Sequence, residues 1–282
     1  MYQLPGAKPI DYLVVGHLSE DITPRGTQMG GTAAYAALTA QALGMRVGIV
    51  TSSIEEMPIG RLSEIQIASF PSEHTTTFEN TYTSLGRIQK LHHKADNLAY
   101  YQIPEIWRRA AIIHLAPIIQ EIPATITTQF QDQFLCLTPQ GWLRTWDDEG
   151  NVSPSEWPES DFVLRHAEAV VISDEDVEGD VQRISEMAVS SRILVVTHGA
   201  KGASVYMNGA IHHIEAPSVE EIDPTGAGDI FAAAFFVKML RSNNPMDAAH
   251  FASQVASLSV TRRGLDSVPT KDEAFDLLLE VS

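Results

Sequence analysis

The stretch "IDPTGAGDIFAAAFF" at positions 222–236 gathers residue types that can do chemistry together. A turn-forming Asp-Pro-Thr runs into Gly226, Ala227 and Gly228; the carboxylate of Asp229 follows, and then an almost wholly apolar segment fit for burial. Glycines at 226 and 228 let backbone N–H groups converge on one point. A helix starting there adds its unpaired N–H groups and the positive end of its dipole. Together these make an anion site suited to phosphate. A carboxylate beside such a site works against binding. It makes sense as a base that takes the proton from a hydroxyl attacking a phosphoryl group, while the N–H groups stabilise charge on the group being transferred. Aspartate in a first helical turn is also a common stabiliser, so this reading depends on the rest of the chain.

The chain has 282 residues and a formal charge of −17, from 36 acidic and 19 basic side chains. That length fits one large α/β domain. The acidic surplus argues against nucleic acid or an anionic membrane as partner, since both call for clustered Lys and Arg. A single cysteine, Cys136, rules out an intrachain disulfide and points to a reducing, cytoplasmic location. The first residues, "MYQLPGAKPIDYLVVG", do not read as a signal peptide, and no stretch reaches the roughly 18 apolar residues of a membrane span. The pairs His92-His93 and His212-His213 lack partners at zinc-finger spacing, and strand neighbours point to opposite faces. His114, at the end of an apolar run, reads as a satisfied core histidine. There is no Gly-x-Ser-x-Gly elbow and no Gly-x-x-x-x-Gly-Lys loop.

The elements needed to position Asp229 are legible as short apolar runs. "DYLVVG" (11–16), "RVGIVTS" (46–52), "AAIIHLAP" (110–117), "QFLCLTPQG" (133–141), "AEAVVIS" (167–173) and "RILVVTHG" (192–199) each break into polar or turn residues at the C-terminal end. Runs of this kind are buried parallel strands, and their C-terminal ends form the ligand crevice of an open sheet. "GGTAAYAALTAQALG" (30–44) has helical spacing with Gly44 at its C-terminal cap. Helices are also expected from the Gly226 turn to about 241 and over 246–261, with a hairpin turning at Asn208-Gly209. Residues 75–90 are rich in Thr, Phe and Tyr and read as strands of a small, partly exposed sheet that 17–29 could join; "SPSEWPES" (153–160) reads as a surface loop.

Nearly the whole chain resembles the ribokinase-like (PfkB-type) carbohydrate and nucleoside kinases. "DPTGAGDIFAAAF" matches the C-terminal signature of that family, "GGTAAYAALTAQALG" its Gly-Gly signature, "VVTHGAKGASV" its strand–loop ahead of the nucleotide site, and "FASQVASLSVTRRG" the helix closing the adenine pocket. "TTTFENTYTSLGRIQKLHHKA", "IIHLAPIIQEI" and "TPQGWLRTW" resemble a branch that includes myo-inositol kinase. The resemblance implies a three-layer α/β/α fold over residues 1–282, with a mostly parallel central sheet and a small β lid drawn from about 17–29 and 75–100.

It also implies roles. Asp229 becomes the base, and Gly226, Ala227 and Gly228 the anion hole. Asp21 would bind acceptor hydroxyls, with Gly30 and Gly31 letting substrate approach the backbone; Arg87, in the lid region, is a candidate for the substrate mouth or a phosphate, against an exposed strand arginine. Thr197, Gly199, Gly202, Thr225 and Gly264 would face ATP. Two positions depart from the pattern. Tyr35 stands where the family has a substrate-touching Asn. "SDED" (173–176) replaces Asn-x-x-Glu, leaving Asp176 to order Mg²⁺ through water. The implied reaction is ATP-dependent phosphorylation of a small sugar, polyol or nucleoside, with a monovalent cation such as K⁺ near the Asp223 loop and Gly264, and a monomer or homodimer as the assembly. The competing expectation is a kinase-fold sensor that binds ligand with little transfer.

Overall fold

The computed structural model describes residues 6–24, 26–55, 57–83 and 86–280, without the side chains at 82–87 and 279–280. In chain order the elements are β1 (Tyr12–Val15), β2 (Ser19–Thr23), β3 (Gly26–Gly30), α1 (Thr32–Ala42), β4 (Val47–Ser53), β5 (Gln66–Pro71), β6 (Thr76–Thr83), β7 (Gly86–His93), β8 (Ile112–Leu115), β9 (Phe134–Leu137), β10 (Arg144–Trp146) and β11 (Val152–Pro154). There follow α2 (Ser160–Leu164), β12 (Ala169–Ser173), α3 (Val181–Ser190), β13 (Ile193–Thr197), β14 (Ala203–Met207), β15 (Ala210–Ile214), α4 (Ala227–Ser242), α5 (Pro245–Ser259) and α6 (Lys271–Glu280).

Among the described residues the main sheet has nine strands in the order β15-β14-β13-β12-β9-β8-β1-β4-β5. Only β14 runs against its neighbours. β1 and β8 are buried at every position, as strands covered on both faces must be; His114 is the one polar side chain in β8. Helices α1, α4, α5 and α6 cover one face around Phe235, Phe236 and Phe251. The other face is sealed by α2, α3 and short 3₁₀ turns around Trp107, Leu98 and Trp142. α1 is buried from Thr32 to Ala40; its run of alanines is what lets a helix sit wedged between the sheet and α4. The hairpin turns at Asn208 and Gly209, both at positive φ (52° and 76°), the backbone a two-residue type I′ turn requires.

A second sheet of four strands, in the order β3-β2-β6-β7, draws on 19–30 and 76–93. Its central pair, β2 and β6, is parallel and the outer pairs are antiparallel. The register sets Asp21 opposite Phe78 and Phe78 opposite Leu91, so all three share a face. Phe78 and Leu91 bury that face on Ile118 and Ile119, in the turn after β8. The small sheet therefore docks on the C-terminal end of the main one, carrying Asp21 there.

Two expectations change. The "SPSEWPES" stretch is not all surface loop: its start belongs to β11, and Trp157, 6% exposed, stacks on Trp142 at 5.2 Å. The flanking Pro, Ser and Glu hid a tryptophan whose apolar bulk drives it inward. β5 was not anticipated; it is a half-exposed edge strand whose pattern is too mixed to register as a buried run.

Candidate active site

Gly226 is the N-cap of α4 and is left-handed, with φ 81° and ψ −4°. A Cβ placed there would lie 2.4 Å from ring carbons of Tyr35, so conformation and space both demand glycine. The turn is held from upstream as well. Asp223 Oδ1 accepts the Thr225 N–H at 3.0 Å, and the N–H groups of Ile222 and Asp223 donate to the Val260 carbonyl at the end of α5. Asp229 follows in the first turn of α4, half-buried, with Ile230 to Val237 fully buried behind it. One member of the expected anion hole differs: the Ala227 N–H already donates to the Pro224 carbonyl at 3.1 Å. Gly228 is exposed, with nothing within 4 Å of where its side chain would be, so a ligand can reach its backbone.

Tyr35 was expected to touch substrate. It is 3% exposed with its ring beneath Gly226. A bulky side chain one turn into α1 points at α4, because the two helices pack side by side.

The second cluster forms where β1 passes into the small sheet. Ser19 Oγ donates to Asp21 Oδ1 at 3.2 Å. A Cβ on Gly30 would stand 2.2 Å from Asp21 Oδ2, and one on Gly31 (φ 87°) 2.8 Å from the His17 carbonyl. The two glycines thus let the carboxylate lie directly against the start of α1. The joint is braced by residues that sequence reasoning missed. His17 is fully buried; its Nδ1 pairs with Thr76 Oγ1 at 2.8 Å and its Nε2 with the Asp96 carbonyl at 2.9 Å. Burial pushes its pKa down and keeps the ring neutral, against the partly opposing field of the Glu121 carboxylate. Glu121, also fully buried, accepts the N–H groups of His17, Ile118 and Ile119 at 2.8–3.1 Å. No spacing rule would have flagged a lone glutamate in a turn. Arg87 lies on β7, and its side chain is outside the described residues.

On the other side of the crevice Thr197 ends β13 and donates to the Ile172 carbonyl at 3.3 Å. Gly199 (φ 55°) is open to its surroundings, whereas Gly202 (φ 92°) is a packing glycine: a Cβ would lie 1.9 Å from the Ile214 carbonyl. Just before Gly199, His198 starts a chain of contacts, Nδ1 to Asp174 Oδ2 at 2.9 Å and Nε2 to Ser204 Oγ at 2.8 Å, and Ser204 Oγ meets His213 Nδ1 at 3.0 Å. Gly264 sits with its α-carbon face toward Gln28 on β3, at the junction of the C-terminal segment with the small sheet.

Asp176 closes a capping box: Oδ2 accepts the Ser173 N–H and Oδ1 accepts from Gln140 Nε2, both at 2.9 Å. Each oxygen accepts one hydrogen bond and keeps a lone pair that a water could use, and among the described residues no group of three or more His, Cys, Asp or Glu is arranged to hold a metal ion directly. His114 pairs with Tyr12 OH at 3.0 Å and Thr138 Oγ1 at 2.8 Å; burial pushes its pKa down to about 3. No helix among the described residues is long and apolar enough to cross a membrane.

Residues 162–272 match the family described as "pfkB family carbohydrate kinase". Among curated proteins, a cytidine kinase from Thermococcus kodakarensis is 27% identical over 80% of this chain and 87% of its own. A ribokinase from Haemophilus influenzae is 35% identical over 30% of this chain and 28% of its own length, so that second match is local. Among solved structures, a sulfate complex of a pyrophosphate-dependent kinase in the ribokinase family superposes with a TM-score of 0.81 at 21% identity, covering 96% of this chain and 100% of that one. Arabidopsis thaliana ribokinase with ribose and ATP superposes at 0.72 and 20% identity, covering 96% and 99%. Residues 162–272, which carry the Gly226–Asp229 turn, thus match the pfkB carbohydrate kinase family, and the chain has the ribokinase fold along nearly its full length.

Proposed function

We propose that the chain transfers a phosphoryl group from ATP to a hydroxyl of a small sugar, a polyol such as myo-inositol, or a nucleoside. The observation that carries this is the start of α4: a left-handed Gly226 seated on Tyr35, an open Gly228, and Asp229 in the first turn. The acceptor lies between Asp21 and Asp229. Asp21 accepts hydrogen bonds from acceptor hydroxyls, a task suited to two carboxylate oxygens. Asp229 takes the proton of the attacking hydroxyl as phosphorus moves across. The N–H groups of Gly226 and Gly228, with the helix dipole, stabilise charge on the moving group. The donor's remaining phosphates and ribose run past Thr197 and Gly199, and Thr225 lies alongside.

The test is Asp229→Asn against a panel of myo-inositol, ribose, fructose, adenosine and cytidine. Base catalysis contributes about 10²–10⁴-fold, so turnover falls by at least about 100-fold; near-normal turnover refutes the assignment. Pyrophosphate belongs in the assay beside ATP, since that solved structure is of a pyrophosphate-dependent kinase. A ligand-binding protein with little transfer is the second reading. It is favoured by Asp176, whose carboxylate accepts the Ser173 N–H and a Gln140 N–H. Binding of a panel member with no phosphoryl transfer from either donor would select it.

A further inference from the structure

Strand register assembles the contacts around His198. β12 and β13 pair in parallel with Ser173 beside Thr197, so Asp174 and His198 are the first residues past two adjacent strand ends. Ser204 on β14 stands opposite Val196, two residues before His198, and opposite His213 on β15. Side chains two apart in a strand share a face, which brings the Ser204 hydroxyl within reach of both rings. The backbone of His198 also closes the turn that follows. Its N–H donates to the Gly202 carbonyl at 2.7 Å, and its carbonyl accepts the Lys201 N–H at 3.2 Å.

The side-chain bonds run in one direction. The Asp174 carboxylate only accepts, so His198 Nδ1 carries a proton. On the neutral ring Nε2 is then an acceptor, and it takes the Ser204 O–H. Ser204 has a single O–H, so its oxygen accepts from His213 Nδ1. An Asp-His-Ser array bonded in this order resembles an acyl-transfer triad. Ser204 is 2% exposed on a strand paired on both sides, however, so a substrate carbonyl has no access to its hydroxyl. The array works instead as a brace across three turns of chain. Thr197 Oγ1 reaches the Ile172 carbonyl at 3.3 Å, and the Asp174–His198 bond, at 2.9 Å, is the closer link between the ends of β12 and β13. Those C-terminal ends are where an open parallel sheet receives its ligand.

We propose that His198 is a positioning residue for the phosphoryl donor. Bound to Asp174, it holds the 197–202 turn in register with the 173–176 turn, so that Thr197 and the open backbone of Gly199 meet the donor in one arrangement. This rests on the phosphotransferase reading for the kind of ligand and deepens it by naming what orders the donor side of the crevice. A turn already fixed spares the donor the entropy of fixing it. The acceptor side, with Asp21, Gly30 and Gly31, is built from the small sheet and the start of α1 and shares no residue with the array.

The test is calorimetric binding of ATP and of pyrophosphate to the full chain and to three variants, with donor and acceptor KM measured on the same proteins. His198→Leu fills the space without either bond. His198→Asn keeps a donor near the place of Nδ1, and Asp174→Asn keeps an acceptor for it. His198→Leu should weaken donor binding by about 10-fold, the size of one hydrogen bond to a charged group. Acceptor KM should stay within about twofold, and both asparagine variants should recover most of the donor affinity. Asp174→Ala removes the same bond from the half-buried side should His198→Leu not fold. A purely structural His198 lowers the melting temperature and leaves donor affinity unchanged. Three results overturn the proposal: donor affinity unchanged when the bond is removed; donor and acceptor KM raised together; or neither donor binding the unaltered chain. Donor binding that depends on His198, with no transfer to any acceptor, refutes the kinase reading and leaves His198 standing.

Discussion

Replacing Gly226 with alanine isolates the turn on which the catalytic proposal depends. Two costs arise at once. The backbone there has φ 81°, a left-handed conformation that an L side chain adopts at about 1–2 kcal/mol. The added methyl would also stand 2.4 Å from ring carbons of Tyr35, far inside contact distance, in a core where Tyr35 is 3% exposed and has no room to retreat. Overpacking of this kind costs about 1–3 kcal/mol. Urea unfolding should therefore show Gly226→Ala destabilised by ~2–5 kcal/mol, with transfer reduced further because the start of α4 is displaced. The double variant Gly226→Ala with Tyr35→Leu removes the ring. Measured against Tyr35→Leu alone, the glycine substitution should then cost only the backbone part, about 1–2 kcal/mol. A Gly226→Ala chain within about 0.5 kcal/mol of the original, or an undiminished cost when Tyr35→Leu is already present, would refute the reasoning.

Other consequences are independent of that turn. Gly202→Ala puts a methyl 1.9 Å from the Ile214 carbonyl at φ 92°, so unfolding experiments should find a loss of at least ~2 kcal/mol. Asp176→Ala should cost about 1 kcal/mol through the lost cap and leave acceptor KM unchanged; a steep fall in transfer without loss of stability would instead show that Asp176 serves the donor phosphates. His114 is held neutral by burial, with a folded pKa of about 3 against 6.5 in the unfolded chain. The unfolded chain therefore binds the extra proton as pH falls below about 6.5. Stability is full above that value and declines toward pH 3 by ~1.4 kcal/mol per unit from this group. Denaturation curves from pH 7 to 4 should show that slope, and His114→Asn should flatten it.

How legible these features are in the sequence depends on how many signals coincide in one short segment. α4 carries a glycine turn, a first-turn carboxylate and an unbroken apolar run, so its position, its burial and the exposure of its N-terminus all followed from the letters. β1, β8, β12 and β13 announce themselves because strands covered on both faces are apolar almost throughout. The small sheet was legible as a Thr- and aromatic-rich stretch, but its parallel β2–β6 pairing was not, since a register that sets Ser19 beside the distant Thr76 leaves no local trace. Glu121 and His17 were missed for a related reason. A buried charge is tolerated where three backbone N–H groups converge on it, and that convergence exists only once β1 and the turn after β8 have come together.

Tyr35 shows how one residue joins the two halves of the site. The family position implied a wall of the acceptor pocket, and the phenol was expected to reshape that wall. In the structure the ring is 3% exposed and lies beneath Gly226. It stands one turn into α1, whose first residues follow directly on Gly30 and Gly31, the glycines against Asp21. Its other side supports Gly226, which sets the direction of α4 and so the place of Asp229. On the proposed roles, the carboxylate that binds hydroxyls goes with the start of α1 and the one that accepts the proton goes with Gly226, and the buried ring of Tyr35 packs α1 against that glycine. Shrinking that ring would lower the Gly226 turn toward α1 and lengthen the path between acceptor hydroxyl and base. Since a misplacement on the order of 1 Å can cost about 100-fold, Tyr35 governs rate more than affinity. Tyr35→Leu should therefore lower kcat while leaving the acceptor's KM within about twofold. A raised acceptor KM at unchanged kcat would return Tyr35 to the pocket wall.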